Sequence, residues 1–262
     1  MTLKYEIQEQ FHQLPDGRKV HRIKALRDFG NVKTGDIGGF VEADDNLSHN
    51  GLSWVADNAM ALDRSRVAGD ALLCDRAQLS GRACITDQCV ARDDARLRDA
   101  ALVYGNAVIG AQSVLADVVT VRDNAIVLCR PRFSVSGKSR VPNLRGHAMI
   151  RDHARLEGCI SVQDHVTVAD HAIVRDSARL LEKAYIGGEA ILEGRATIGE
   201  EAMILHQSRI GGRTKIFGRV IVVGQVVILG KSYLTSRAYA CGQGTIRDVL
   251  LSGNDYRRVY AQ

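Results

Sequence analysis

The chain has 262 residues, with 35 Lys and Arg against 30 Asp and Glu for a net charge of +5, and it is 45% apolar but only 5% aromatic. The charges of both signs interleave instead of clustering, which argues against a nucleic-acid partner; no apolar run reaches the roughly 20 residues of a membrane-spanning helix, so no membrane partner is expected either. Six cysteines, Cys74, Cys84, Cys89, Cys129, Cys159 and Cys241, show no metal-ligand spacing and read as reduced thiols.

The first segment, residues 1–46, reads as an N-terminal hairpin and lead-in that covers an open first coil. Lys4 to Gln8 and Lys19 to Leu26 have strand character on either side of the turn signal Pro15-Asp16-Gly17. MTLKYEIQEQ has no basic stretch followed by an apolar one, so the expected location is cytoplasmic. The glycines between Asp28 and Glu42 are expected to serve tight turns.

From Leu52 to Val127 one rule repeats with a period of six. Ser53, Ala59, Ser65, Ala71, Ala77, Ala83, Cys89 and their successors to Ala125 are small, with Val119 the bulkiest, and the position two further on is apolar each time, as at Val55, Leu73, Leu79, Ile85 and Leu97. Inward and outward residues alternate as in a strand, and the last two positions of each hexad break it. The first of these is Asp or Gly almost throughout, as at Asp57, Asp63, Gly69, Asp75 and Gly81, residues that tolerate positive φ and suit a sharp corner. Strand and corner at this period describe an all-β triangular prism in which three hexads, about 18 residues, complete one coil. The first block covers 47–127.

This pattern resembles the hexapeptide-repeat superfamily, and the lead-in from Asp28 through Gly38-Gly39-Phe40-Val41-Glu42, with Asn46-Leu47-Ser48 and Ser53-Trp54-Val55, looks like the start of the YdcK-like family of bacterial and prophage proteins. The resemblance implies a left-handed parallel β-helix, trimers formed along flat faces and, as the commonest activity, acyl transfer with a histidine base and acetyl-coenzyme A.

At residues 128–147 the phase fails, since Ala148 arrives one position too early to complete a fourth hexad after Ala125. Pro131 and Pro142 lie there, and proline cannot donate to a ladder, so a protruding basic loop is expected. It carries Arg130, Arg132, Lys138, Arg140 and Arg145 without an acid, which makes it the economical place for binding on a rigid scaffold. The hexad resumes over 148–246, and 247–262 reads as a closing segment. Val220 to Leu229 is apolar at inward and outward positions alike, so the last coils are expected to be buried all round.

Read in steps of 18, the outward positions become columns. Trp54, Leu72, Val90, Val108 and Ile126 form one apolar column, and Met149, Thr167, Tyr185, Met203 and Ile221 form another. Apolar stripes are rarely left to water, so Trp54, Leu72, Val90, Val108, Ile126, Met149, Tyr185, Met203 and Ile221 are expected at an interface of a homo-oligomer, a trimer by the resemblance, or else under the terminal segments. His147 with His165 and His153 with His171 should stack one coil apart; they read as corner residues, and no metal is expected there.

Two functions remain open. One is a non-catalytic oligomeric scaffold, requiring no cofactor, that binds a macromolecular partner through its faces and the basic loop. The other, carried by the resemblance, is an acetyl-coenzyme A-dependent acyltransferase with His147 or His206 as general base and Arg132, Lys138 and Arg140 toward the cofactor phosphates.

Overall fold

The computed structural model describes residues 3–133, 139–254 and 256–259, with the backbone alone at 133, 139, 140, 258 and 259. It is all-β apart from one 3-10 turn at Asp44–Asn46, and it divides into two units, residues 1–123 and 124–262. Each is a solenoid of short parallel strands, and corner hydrogen bonds recur at a spacing of 18 along the chain. No helix among the described residues is long and apolar enough to cross a membrane.

In the first unit β1 (Tyr5–Gln13) and β2 (Lys19–Ala25) form an antiparallel pair, and β2 pairs in turn with β3 (Ile37–Val41). Strand β3 then runs parallel to Met60–Ala61, so the hairpin extends one sheet of the solenoid. Beyond it, Trp54, Leu72, Val90 and Val108 stand in register on one face, and Met60, Gln78, Arg96 and Val114 on a second. Arg66, Cys84 and Leu102, with Thr120 above them, form the third. The inward apolar residues, from Val55 through Leu73, Leu79, Ile85 and Leu97 to Val121, are 0% exposed. Each such burial contributes on the order of 1.5–3 kcal/mol. Small inward neighbours such as Ala59, Ala71 and Cys89 keep the coil narrow enough for these side chains to meet.

The corners explain why aspartate recurs there. Asp57, Asp63, Asp75, Asp87, Asp93 and Asp99 all have φ between 55 and 61°, the left-handed region that aspartate enters more easily than most residues. Their carboxylates also reach one coil onward. Asp75 Oδ2 accepts the backbone N–H of Asp93 at 2.9 Å, Asp63 that of Gly81 at 2.7 Å and Asp99 that of Asp117 at 3.1 Å. The second unit repeats the device with Asp152 to Asp170, Asp170 to Gly188 and Asp176 to Gly194. Aspartate thus supplies both the turn and a side-chain rung between coils.

Two glycines of the lead-in do something other than turn the chain. Gly30 and Gly35 have positive φ, whereas Gly38 and Gly39 lie within β3. A Cβ on Gly38 would sit 2.6 Å from the Trp54 ring, and one on Gly39 would sit 2.6 Å from the Ala59 carbonyl. They are there for close approach. Lys4 is fully buried at the same end; its ammonium donates to the Ser53 carbonyl at 2.8 Å and to Ser53 Oγ at 3.1 Å. Burial, and secondarily the charge of Arg27, bring its pKa down to about 8. The buried Tyr5 hydroxyl donates toward the carbonyls of Asp44 and Leu47, and its ring stacks on His49 at 4.3 Å.

In the second unit Ile126–Cys129 pairs parallel with Arg155–Gly158, so Ile126 meets Arg155 where the regular period would bring Leu144. The excursion that lengthens this coil runs between Cys129 and Asn143; within it Arg132 pairs antiparallel with Arg140, and the regular strand resumes at Asn143–Leu144, with Leu144 fully buried. Ile221–Leu229 and Tyr239–Arg247 are continuous nine-residue strands lying side by side. The expectation that these last coils are buried all round does not hold within the chain. Val223, Val227 and Leu229 point outward and are half-exposed, because only alternate residues face the core. Tyr256–Val259 adds a last parallel strand against Tyr239–Gly242. The six cysteines are thiols, with no disulfide among them.

A candidate basic groove at one corner

The long coil after Cys129 determines what gathers at one corner of the second unit. The backbone N–H of Arg130 bonds the carbonyl of Gly158, Cys159 bonds Asp176, Ser177 bonds Gly194, Arg195 bonds Gly212 and Arg213 bonds Gly230. Arg130, Cys159, Ser177, Arg195 and Arg213 are therefore successive members of one column. Its middle members are small and buried, Cys159 at 3% and Ser177 at 4% exposure, while the arginines at either end are exposed.

A small-residue notch flanked by long cations makes a groove, and one of about 670 Å³ lies here, open to solvent. Its walls include Arg130, Arg132, Arg195 and Arg213, and Gly158, Gly194 and Gly212 leave its floor without side chains on either side of Asp176. Arg132 leans across it and donates to Ser177 Oγ at 3.2 Å. One carboxylate lines the groove, Asp176, and it accepts the N–H of Gly194 at 2.8 Å as a corner residue.

Elsewhere on this unit the fold neutralises a cation with an acid one coil away. Arg175 pairs with Glu193 at 2.5 Å and Arg219 with Glu201 at 3.0 Å. Glu193 also receives Arg209 at 2.7 Å; burial would raise its pKa, but the two guanidiniums outweigh that and lower it. Among the described residues no carboxylate forms an ion pair with Arg130, Arg132, Arg195 or Arg213. Four unneutralised guanidiniums around one notch are an anion site in chemical terms, since each offers planar, fork-shaped donors to an oxyanion.

The histidines lie elsewhere. His147 and His165 stack at 4.8 Å with an interplanar angle of 5°, and His153 and His171 at 4.8 Å and 20°. All four are exposed. His147 belongs to a second corner and His153 to the third, where His206 stands in the neighbouring column above Gly188, itself a corner residue with φ 56°. The structure therefore does not bring His147 or His206 together with Arg132. Lys138 lies outside the described residues, and only the backbone of Arg140 is described, opposite Arg132. Arg195 and Arg213 could have been flagged by their spacing of 18, but their partnership with Arg130 depends on the long coil.

The outward apolar positions are also placed. Trp54 is already covered within its own unit, 6% exposed, with Phe29 edge-on at 5.4 Å and Gly38 against its ring. Leu72, Val90 and Val108 continue its column half-exposed. Ile126 heads a column in the second unit that continues to Arg155, Ile173, Ile191 and Arg209, so two arginines interrupt that face. Met149, Thr167, Tyr185, Met203 and Ile221 stand in register, with Met149 at 37% exposure. Among the described residues one trio has metal-ligand proximity, Asp57, Cys74 and Asp75, at an exposed corner. Burial and the neighbouring Asp75 push the Cys74 thiol up to about 12, which disfavours the thiolate a metal would need. No protein-family model matches the chain, and no curated protein matches it.

Proposed function

We propose that this chain is a non-catalytic scaffold of the hexapeptide-repeat, left-handed β-helix kind, YdcK-like at its N-terminal end. On this reading it assembles with copies of itself, as a trimer, along its apolar columns and holds an acidic partner at the basic groove. The observation that carries it is the separation of chemistry from charge. The groove that concentrates Arg130, Arg132, Arg195 and Arg213 has no histidine in its lining, while His147 and His206 stand at the two other corners. A general base must reach the proton it takes, within hydrogen-bond distance or through one water.

The competing reading is the acetyl-coenzyme A-dependent acyltransferase. Thermal shift with acetyl-coenzyme A separates the two, because a ligand that binds only the folded state raises its stability in proportion to the logarithm of its concentration. The scaffold reading expects no acetyl group transferred to any amine acceptor and no effect of His147→Ala or His206→Ala on whatever shift occurs. Acetyl transfer lost in either variant overturns it.

A further inference from the structure

We infer that the corner groove is a binding site for a compact polyphosphate, two or three phosphoryl groups joined end to end. The inference rests on the reading of this groove as a binding surface and names its ligand class.

Spacing favours an elongated anion. Coils repeat about every 4.8 Å along the solenoid, so Arg130 and Arg195, three coils apart, have backbones roughly 14 Å apart, with Arg213 one coil further. Cys159 and Ser177 between them are small and buried, and the arginine side chains are long enough to lean inward from both ends. The space left is elongated along the column. A single tetrahedral oxyanion reaches the guanidiniums of one end; a linear chain of phosphoryl groups meets both.

Charge favours a multivalent one. Arg195 and Arg213 stack in adjacent coils without the acid one coil away that pairs with Arg175 at Glu193 and with Arg219 at Glu201. Unpaired like charges at such spacing repel, and a multivalent anion removes the repulsion while gaining forked hydrogen bonds from each guanidinium. Asp176 opposes an anion, yet its Oδ2 is engaged by the Gly194 N–H, which draws off part of its charge.

The donors suit phosphoryl oxygens. Arg132 is held over the notch by Ser177, whose hydroxyl accepts that bond and retains an O–H of its own to donate. At Gly158, Gly194 and Gly212 no Cβ stands between the phosphoryl oxygens and the corner backbone, and Asp176 is the one side chain in that stretch of the column.

Isothermal titration of the full chain at constant ionic strength tests this, using tripolyphosphate, pyrophosphate, orthophosphate and adenosine diphosphate as probes. Tripolyphosphate and pyrophosphate should bind at one site per chain, at least tenfold tighter than orthophosphate. The doubly substituted Arg195→Gln/Arg213→Gln chain should lose at least tenfold, as should Arg130→Gln/Arg132→Gln, while Arg96→Gln on the other unit should leave binding unchanged. All these positions are exposed, and circular dichroism of each variant verifies the fold. Adenosine diphosphate matching pyrophosphate points to a nucleotide-borne ligand; weaker binding points to the free polyphosphate. Equal affinity for orthophosphate and tripolyphosphate, or loss in Arg96→Gln as large as in the groove variants, overturns the inference. Assembly of copies is read separately by light scattering, so failure here leaves that part of the scaffold reading standing.

Discussion

Asp75 receives a hydrogen bond from the coil after it and gives one to the coil before: its carboxylate accepts the N–H of Asp93 at 2.9 Å, and its own N–H is held by Asp57 at 3.1 Å. Asp93 repeats this toward Ala111, whose N–H it accepts at 2.7 Å. The corner is thus a chain of side-chain rungs whose donors sit in a backbone conformation that favours aspartate.

Substitutions at Asp93 should separate these two contributions. Asp93→Asn keeps an acceptor oxygen and a residue tolerant of φ 60°, and should cost least. Asp93→Gly keeps the conformation but loses the rung, for about 1 kcal/mol. Asp93→Ala loses the rung and adds the left-handed penalty, for about 2–3 kcal/mol in all. Urea unfolding at constant m-value reads the order, and Ala costing less than Gly would contradict the account.

Ala111 ends this column with φ 58° and no side-chain oxygen. Its Cβ is disfavoured in that region by roughly 1–2 kcal/mol, against about 0.5–1 kcal/mol of extra chain entropy for glycine. Ala111→Gly should therefore stabilise by up to about 1 kcal/mol, seen as a small rise in Tm.

Lys4 predicts a pH dependence of the same physical origin as its burial. Its folded pKa, about 8, lies below the unfolded value of 10.5. Between pH 8 and 10.5 the unfolded chain holds the proton that the folded chain has released, so stability rises with pH across that window. Allowing for solvent screening, the gain is on the order of 1–2 kcal/mol. Lys4→Met should abolish it and match or exceed wild type at pH 7, since the ammonium's burial is no longer required. An unchanged pH profile in Lys4→Met would sink this assignment.

The half-exposed column of Leu72, Val90 and Val108 should govern assembly. Val90→Glu is expected to shift the chain to a smaller species by light scattering at tens of micromolar, whereas Leu102→Glu, on a mixed face, should not. A wild-type monomer at all concentrations, or equal effects of both variants, rejects the oligomer.

Much of this architecture was legible in the hexad because every coil repeats the same local problem. A small residue, an apolar one and an aspartate or glycine corner return at the same positions, so the inward set and the stacking of His147 on His165 follow from counting in eighteens. Counting stops being enough where the period is broken. Whether Trp54 faced a partner could not be read from its column, because Phe29 and Gly38 reach it from outside the repeat. The roles of Gly38 and Gly39 depend likewise on what packs against them, and composition alone cannot tell a turn glycine from one required by close approach.

By itself, then, the sequence determined the strand period, the coil length, the core and the chemistry of the corners, all consequences of interactions repeated between neighbouring coils. Only the tertiary structure decided which corner the arginines after Cys129 would join. The excursion sets Ile126 beside Arg155 in place of Leu144, and its length follows from the small antiparallel pairing of Arg132 with Arg140 and from where Leu144 re-enters the core. That register places Arg130 below Cys159 and Ser177 and separates it from His147, turning a basic stretch of chain into one wall of a groove.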